Sequence, residues 1–519
     1  MRPLPTLLVA LLVVLAGCGA VTGPSNTTAP ATETTAATDG SQTATATGPG
    51  EGDASVAPAD PDEDVLGWED GYWYNESIDV DRSDGLNDSE LDAVVARGMA
   101  RVEEIRRLEF EKRVPVEILT RQEYVEQVES SNTTAANRLH QNVKWEAMFM
   151  VNESTDAIAV QNRNFAGGVG GFYSPTEERI VIVSDSETPE MNEITLSQEL
   201  FHALQDQRFN VSDYNQSTQE LHNARDGIIE GDGNYVDQLY QDRCDADWDC
   251  LLPQQQGGGA QPDIHIGLYQ VSFQPYSDGV VFVQQLHQRG GWEAVNAVYE
   301  NPPASTEQTI HPDLYEQDQP TDVTIEDTSS GEWEVLDLEG PVDHASFGEA
   351  GLFVMMWYPS FVETQESQSL QEVVVPYREH LNYDGQRLNQ TDPFNYDHPV
   401  TAGWDGDRLL PYVTADSAST NETGYVWKFE WDTEDDAAEF VAGYEELLAH
   451  HGAEPVDGRP DTFRIADDEE FGDAYYVVQQ GTTVVVVNAP TVEDLNGVRA
   501  GAGTSNASVS ASPAVTGGA

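Results

Sequence analysis

The chain has 519 residues, of which 24 are Lys or Arg and 92 are Asp or Glu, for a formal net charge of -68. That charge excludes nucleic acid as a partner, while 39% apolar residues and ten tryptophans exclude an acidic disordered chain. Lysine occurs only at Lys112, Lys144 and Lys428, and self-repulsion of this size calls for molar salt, where the Debye length falls to about 3 Å, so a halophilic protein is expected.

The first segment pairs Arg2 with an apolar run from Leu7 to Leu15, the layout of a secretory signal, and is too short for a stable membrane span. Its end, Leu15-Ala16-Gly17-Cys18, looks like a lipobox. Residues 1–17 are therefore expected to be a signal peptide and Cys18 the site of lipid attachment, placing the chain on the outer face of the membrane. Residues 18–65 are rich in Thr, Ala and Ser and read as a disordered stalk; 496–519 share that composition and read as a disordered tail. Sequons at Asn75, Asn152, Asn210, Asn389 and Asn421 suit an exported glycoprotein. Cys244 and Cys250 in CDADWDC are expected to form a short-loop disulfide rather than a metal site, because no further cysteine is at hand.

The ordered part, about 66–495, mixes helical and strand periodicities in an α+β arrangement. Leu91–Phe110 is helical in spacing, Val114–Leu119 alternates as a strand, and a helix follows from Thr120. GGFYSPTEERIVIVSD reads as a hairpin turning at Ser174-Pro175-Thr176, followed by a helix capped by Thr188 with Pro189 in its first turn. From about Asp392 to 495 a small C-terminal α/β unit is expected: the strand Val426–Trp431, a helix closed by Gly452, and two strands. His450 and His451 read as cationic caps of that helix, and Met355, Met356 and Trp357 as core.

The helix after the hairpin carries Gln198, Glu199 and His202. Positions 198 and 202 share one face, which is the geometry of an HExxH zinc helix with glutamine in the first place. In such a helix two imidazoles bind zinc and the glutamate takes a proton from the bound water; here Glu199 is the base and His202 the second ligand. A third ligand is expected from DGIIEGDGNYVDQLY, at Glu230. Gln198 offers only an amide oxygen, and His222 and His311 are the histidines considered as its replacement. PPASTEQTIHPDLY places Glu307 and His311 four apart, either in a loop ended by Pro302 and Pro303 or as a lining of the cleft facing the metal helix.

QELFHALQDQRF resembles the HELTHALQDQHF helix of haloarchaeal and bacterial surface proteins with a gluzincin-like metallopeptidase pattern. VPVEIL, GFYSPTEERIVI, PYSDGVVFVQQL, GGWEAVNAVYENPPASTEQTIHPDLY, FGEAGLF and GWDGDRL agree with the same group, over about 70–490. The resemblance implies a zincin-like main domain, 66–391, with Glu199 as base, His202 and Glu230 as metal ligands, and zinc as the cofactor. The family's first histidine falls on Gln198. Two functions follow as expectations. One is peptide-bond hydrolysis, an extracellular peptide lying along an edge strand near Arg179–Ser184. The other is a catalytically inactive binding or envelope-organising protein that uses the same cleft without zinc.

Overall fold

The computed structural model describes residues 59–81, 85–129, 133–184, 192–252, 264–338, 340 and 342–505. The signal segment, Cys18, the stalk as far as residue 58, the expected cap at Thr188 and Pro189, and the tail beyond 505 lie outside these residues.

The chain opens with a two-strand hairpin, β1 (Trp68–Glu69) and β2 (Tyr72–Trp73), followed by α1 (Asp88–Arg106). Asn87 starts α1 because its side chain accepts from the Ser89 and Glu90 amides while Glu90 reaches back to the Asn87 amide, a complete capping box. Next come β3 (Val116–Thr120), α2 (Arg121–Glu129), α3 (Ala135–Ala147) and α4 (Ala157–Gly168), then the hairpin β4 (Gly171–Ser174) and β5 (Arg179–Ser184). These strands form a three-stranded sheet in the order β3-β5-β4, β3 parallel to β5 and β4 antiparallel to it. The expectation that Arg179–Ser184 is an edge strand is thus corrected. The hairpin covers one side of β5 and Val116–Thr120 pairs with the other, so the open edge on the hairpin side, among the described residues, is β4.

Two helices follow, α5 (Glu193–Phe209) and α6 (Gln219–Ala246), and then α7 (Ile266–Val298), which bends where Gly290 and Gly291 leave helical geometry. α5 starts later than expected, for Asn192 rather than Thr188 caps it, its side chain accepting from the Ile194 amide at 3.2 Å. α6 and α7 approach through glycines: a Cβ on Gly231 would lie 2.3 Å from the Gly279 carbonyl oxygen, and one on Gly279 would lie 2.6 Å from that of Gly227. Only bare backbone fits there. The first core joins α1, α5, α6 and the three-stranded sheet through Val94, Met99, Leu200, Phe201, Val236 and Ile180.

A fully buried ion cluster fixes the start of α5. Arg97 and Arg101 donate to the Glu193 carboxylate at 2.9 and 2.5 Å, and the Tyr240 hydroxyl and the Leu251 amide donate to it at 2.7 Å each. Glu193 is thereby tied to the Cys244–Cys250 loop, whose disulfide is present as expected with Cα atoms 5.6 Å apart.

The remainder is α8 (Glu307–Ile310), β6 (Glu334–Val335), α9 (Gly348–Ser367), a small hairpin of β7 (Tyr383–Asp384) and β8 (Arg387–Leu388), β9 (Trp404–Val413), α10 (Ser417–Thr420), β10 (Gly424–Trp431), α11 (Glu434–His450), β11 (Glu454–Pro455), β12 (Thr462–Arg464), β13 (Ala474–Gln480), β14 (Thr483–Ala489) and α12 (Leu495–Val498). Seven of these strands form an antiparallel sheet, β11-β12-β13-β14-β10-β9-β6, so the sheet takes in residues well before Asp392. Its core is continuous with α9, where Met355, Met356 and Trp357 are buried as expected. The ordered chain also runs beyond 495: Val498 and Ala502 are buried, because α12 sets its apolar side chains into the second core of this sheet beside Trp333.

His451 is not a cationic cap. Its ring stacks on Phe149 at 4.8 Å, and burial lowers its pKa to about 3, so it is neutral. Exposed His450 remains in the last turn of α11. Of the sequons, Asn210 is exposed at the end of α5, whereas the Asn421 amide is engaged, donating to the Glu153 carbonyl at 2.7 Å. Among the described residues no helix is long and apolar enough to cross a membrane.

Candidate metal centre

α5 and α6 pack side by side behind the sheet and bring the predicted residues together. Gln198, Glu199, His202 and Glu230 are all buried, each at most 7% exposed. His202 Nε2 lies 3.4 Å from Glu230 Oε2. Gly233, close after Glu230 on α6, leaves room for the imidazole, since a Cβ there would stand 3.2 Å from His202 Cε1. On the other side Gly171 of β4 faces Glu199, where a Cβ would fall 3.7 Å from Glu199 Cγ. The base position thus sits beside the open edge of the small sheet.

A buried chain of hydrogen bonds orients His202, and none of its other members is apparent as a site residue in the sequence. His202 Nδ1 and Gln205 Oε1 are 2.8 Å apart; Gln205 Nε2 donates to the Ile229 carbonyl at 2.8 Å and lies 2.7 Å from the Tyr299 hydroxyl oxygen, to which it also donates. Tyr299 in turn donates to Asp232 Oδ2 at 2.7 Å, and Asp232 takes a forked pair of bonds from Arg106. Because the amide nitrogen of Gln205 is spent on two acceptors, its oxygen must accept from Nδ1–H. Nε2 is therefore the nitrogen turned toward Glu230, the arrangement that a ligand imidazole needs.

Whether the pair suits zinc depends on its donors. His202 Nε2 and Glu230 Oε2 are buried without a hydrogen-bond partner, and their 3.4 Å separation exceeds an ordinary N–H···O bond. It matches the edge of a tetrahedron with bonds of about 2.0–2.1 Å, which is about 3.3–3.4 Å. Two donors are therefore placed as zinc ligands are. A third is missing: among the described residues His202 and Glu230 belong to no group of three His, Cys, Asp or Glu whose ligand atoms lie within 4.8 Å. The Asp226 and Asp237 carboxylates of α6 act on His202 electrostatically without joining such a group, and Gln198, one turn before His202, offers only an amide, a weak ligand for a borderline-soft ion. The residues present do not fit a catalytic zinc ion.

Without a cation, the negative field of the site acts on the proton of His202. Burial would lower the His202 pKa, but the Glu230 and Glu199 carboxylates and the bond with Gln205 outweigh it and raise it to about 10. At neutral pH Nε2 then carries a proton that any metal must displace. Asp226, one turn before Glu230 on α6, is raised to about 6 by burial against the pull of His222.

The substitute histidines are engaged elsewhere. His222 Nε2 pairs with Asp226 Oδ2 at 3.3 Å. His311 Nε2 lies 3.0 Å from Glu349 Oε1, in a mixed group with Asp397, and Glu307 groups with Asp318 and Asp432. Their loop packs on α6 at Gly227, where a Cβ would meet Thr309, one turn from Glu230. It adjoins the His202 pair without supplying its missing donor.

Residues 334–499 match a family described as a domain of unknown function, DUF8575. That stretch is less than half of the chain; it holds α9 and the seven-stranded sheet, and Gln198, Glu199, His202 and Glu230 lie outside it. No curated protein and no solved structure matches the chain.

Proposed function

We propose that the chain is a surface protein, lipid-anchored through Cys18, whose main domain is a zincin-like metallopeptidase fold that no longer catalyses and instead binds an extended peptide or envelope-protein segment. The observation that carries this reading is the incomplete donor set: His202 and Glu230 face each other at 3.4 Å while the first-ligand position holds Gln198. An imidazolium–carboxylate pair in that place satisfies the buried charges without metal. Binding is supported by the open edge of β4, whose Gly171 stands against Glu199, so a peptide adding to that edge passes the former base. The anchor, the halophilic setting and the absence of turnover belong to the same proposal.

The test is Gln198→His in the full chain kept in molar salt. A restored imidazole one turn from His202 is expected to tighten zinc binding by at least about a hundredfold and to bring peptide hydrolysis that Glu199→Gln removes. If the native chain already hydrolyses peptides in a Glu199-dependent way, the silent reading fails.

A further inference from the structure

A second charged cluster lies far from α5, where the turn after α3 meets the seven-stranded sheet. The chain reverses immediately after Glu146: Phe149 has φ +53°, and the Met150 amide returns to the Trp145 carbonyl at 3.1 Å. This carries Glu153 back beside Glu146. From the sheet, Asp473 arrives at the start of β13, its carbonyl held by the Ile465 amide at 2.8 Å, in a loop so tight that a Cβ on Gly472 would lie 2.6 Å from the Ala466 oxygen. Glu146, Glu153 and Asp473 each present a carboxylate oxygen within 4.8 Å of the others.

Three acids in one place are not by themselves a site; the unsatisfied oxygens are the second observation. Asp473 is 2% exposed, and while its Oδ2 accepts from Asn488 Nδ2 at 2.8 Å, its Oδ1 is buried with no hydrogen-bond partner. It faces the oxygens of Glu146 and Glu153, and burial with repulsion from neighbouring carboxylates raises all three carboxyls, Glu153 to about 7, so without a cation they hold protons between them that a bound ion would displace. Glu153 Oε1 and, beside Asp473, Asn488 Oδ1 are also buried without partners. Positive charge is scarce: Arg464 acts on Glu153 and Asp473, but its guanidinium is already bonded to Asp467 and to the Ile465 carbonyl. A hollow of about 650 Å³ lies against the Glu153 side of the cluster, bordered also by Glu422, Asp467, Glu470 and Gly472. Every donor is oxygen, which selects a hard cation, and an all-protein carboxylate cage suits calcium, with its 6–8 oxygens at about 2.3–2.6 Å, better than magnesium, which keeps its waters.

We propose that Glu146, Glu153 and Asp473 bind one calcium ion, which clamps the turn after α3 to the seven-stranded sheet. The ion supplies the positive charge that buried Glu146 and Asp473 and half-buried Glu153 lack, with the remaining positions filled from the hollow by water. Both ends of the clamp are embedded in one core, since Phe149 packs against Phe471 at 5.2 Å and Tyr475 at 5.8 Å, so the site acts on the stability of the whole sheet rather than on a loop.

The experiment titrates CaCl2 into the metal-stripped full chain at constant molar KCl, which screens the general acidic surface, and follows bound calcium and melting temperature. One saturable calcium per chain and a rise in melting temperature are expected. Glu153→Gln, at the half-buried member, is expected to weaken calcium at least about tenfold, whereas Asp384→Asn on the exposed β7–β8 hairpin leaves it unchanged. Equal affinity in the two variants overturns the proposal. Should Glu153→Gln not fold, the native chain decides alone: no saturable one-to-one binding overturns it as well.

Discussion

At the level of single residues, the difference between a zinc ligand and a buried ion pair rests on Gln198 and on the proton of His202. The usual imidazole pKa of 6.5 is raised to about 10 in the folded chain, because Glu230 and Glu199 outweigh the desolvation that works against the charged ring. A raised basic pKa contributes stability that is fully present below the unfolded value near 6.5 and is lost as the pH climbs through about 10. Melting temperatures measured in molar salt from pH 7 to beyond about pH 10 should therefore fall more steeply for the native chain than for His202→Gln. Parallel slopes would show that His202 is neutral when folded. Other groups also titrate near that pH, so the difference between the two proteins is the readout.

Among the elements, the crossing of α6 and α7 sets where Glu230 stands. Gly231 and Gly279 bring the two backbones together, and a Cβ on Gly231 would come within 2.3 Å of a carbonyl oxygen. Gly231→Ala is expected to cost about 2–3 kcal/mol in denaturant unfolding, in the upper part of what overpacking does, and to spread the helices that hold the His202–Glu230 pair. A loss below about 0.5 kcal/mol would mean that the crossing relaxes without strain. At the same scale, the edge available to a peptide is β4 rather than β5. The hairpin turn at Ser174-Pro175-Thr176 pointed to a strand at Arg179–Ser184, but which of its sides is paired depends on Val116–Thr120, far earlier in the chain, and local pattern carries no information on that.

Over the whole molecule, a charge of -68 on one chain predicts that stability is bound to salt. Diluting KCl from the molar range to about 0.1 M lengthens the Debye length from about 3 to about 10 Å, and tryptophan fluorescence should then report unfolding; an unchanged melting temperature would contradict the halophilic reading. Much of the architecture was legible in the sequence because hydrophobic period agrees with the packing: the helix of α11 and the strands β10, β13 and β14 stand where spacing put them, whereas the cap of α5 falls on Asn192 because the helix starts later than Thr188 suggested. The supporting residues were not. Arg97, Arg101 and Arg106 are wholly buried, although their spacing on a helix otherwise lined by Val94, Met99 and Val102 was a signal that they face the core. Tyr299 and Gln205 gave no such sign, because their roles come from contacts between residues 94 apart. Nor did the cluster of Glu146, Glu153 and Asp473, whose members are brought together only by the docking of a helix turn on a distant strand.

On the proposed reading, glutamine at residue 198 leaves the α5–α6 site without a catalytic metal. The most direct measurement is zinc per chain at the α5–α6 site of the native full-length protein purified in molar salt, read as the zinc that His202→Gln abolishes. None is expected at stoichiometric level, and one zinc is expected to appear in Gln198→His. One His202-dependent zinc per native chain, with peptide hydrolysis lost in Glu199→Gln, would contradict it.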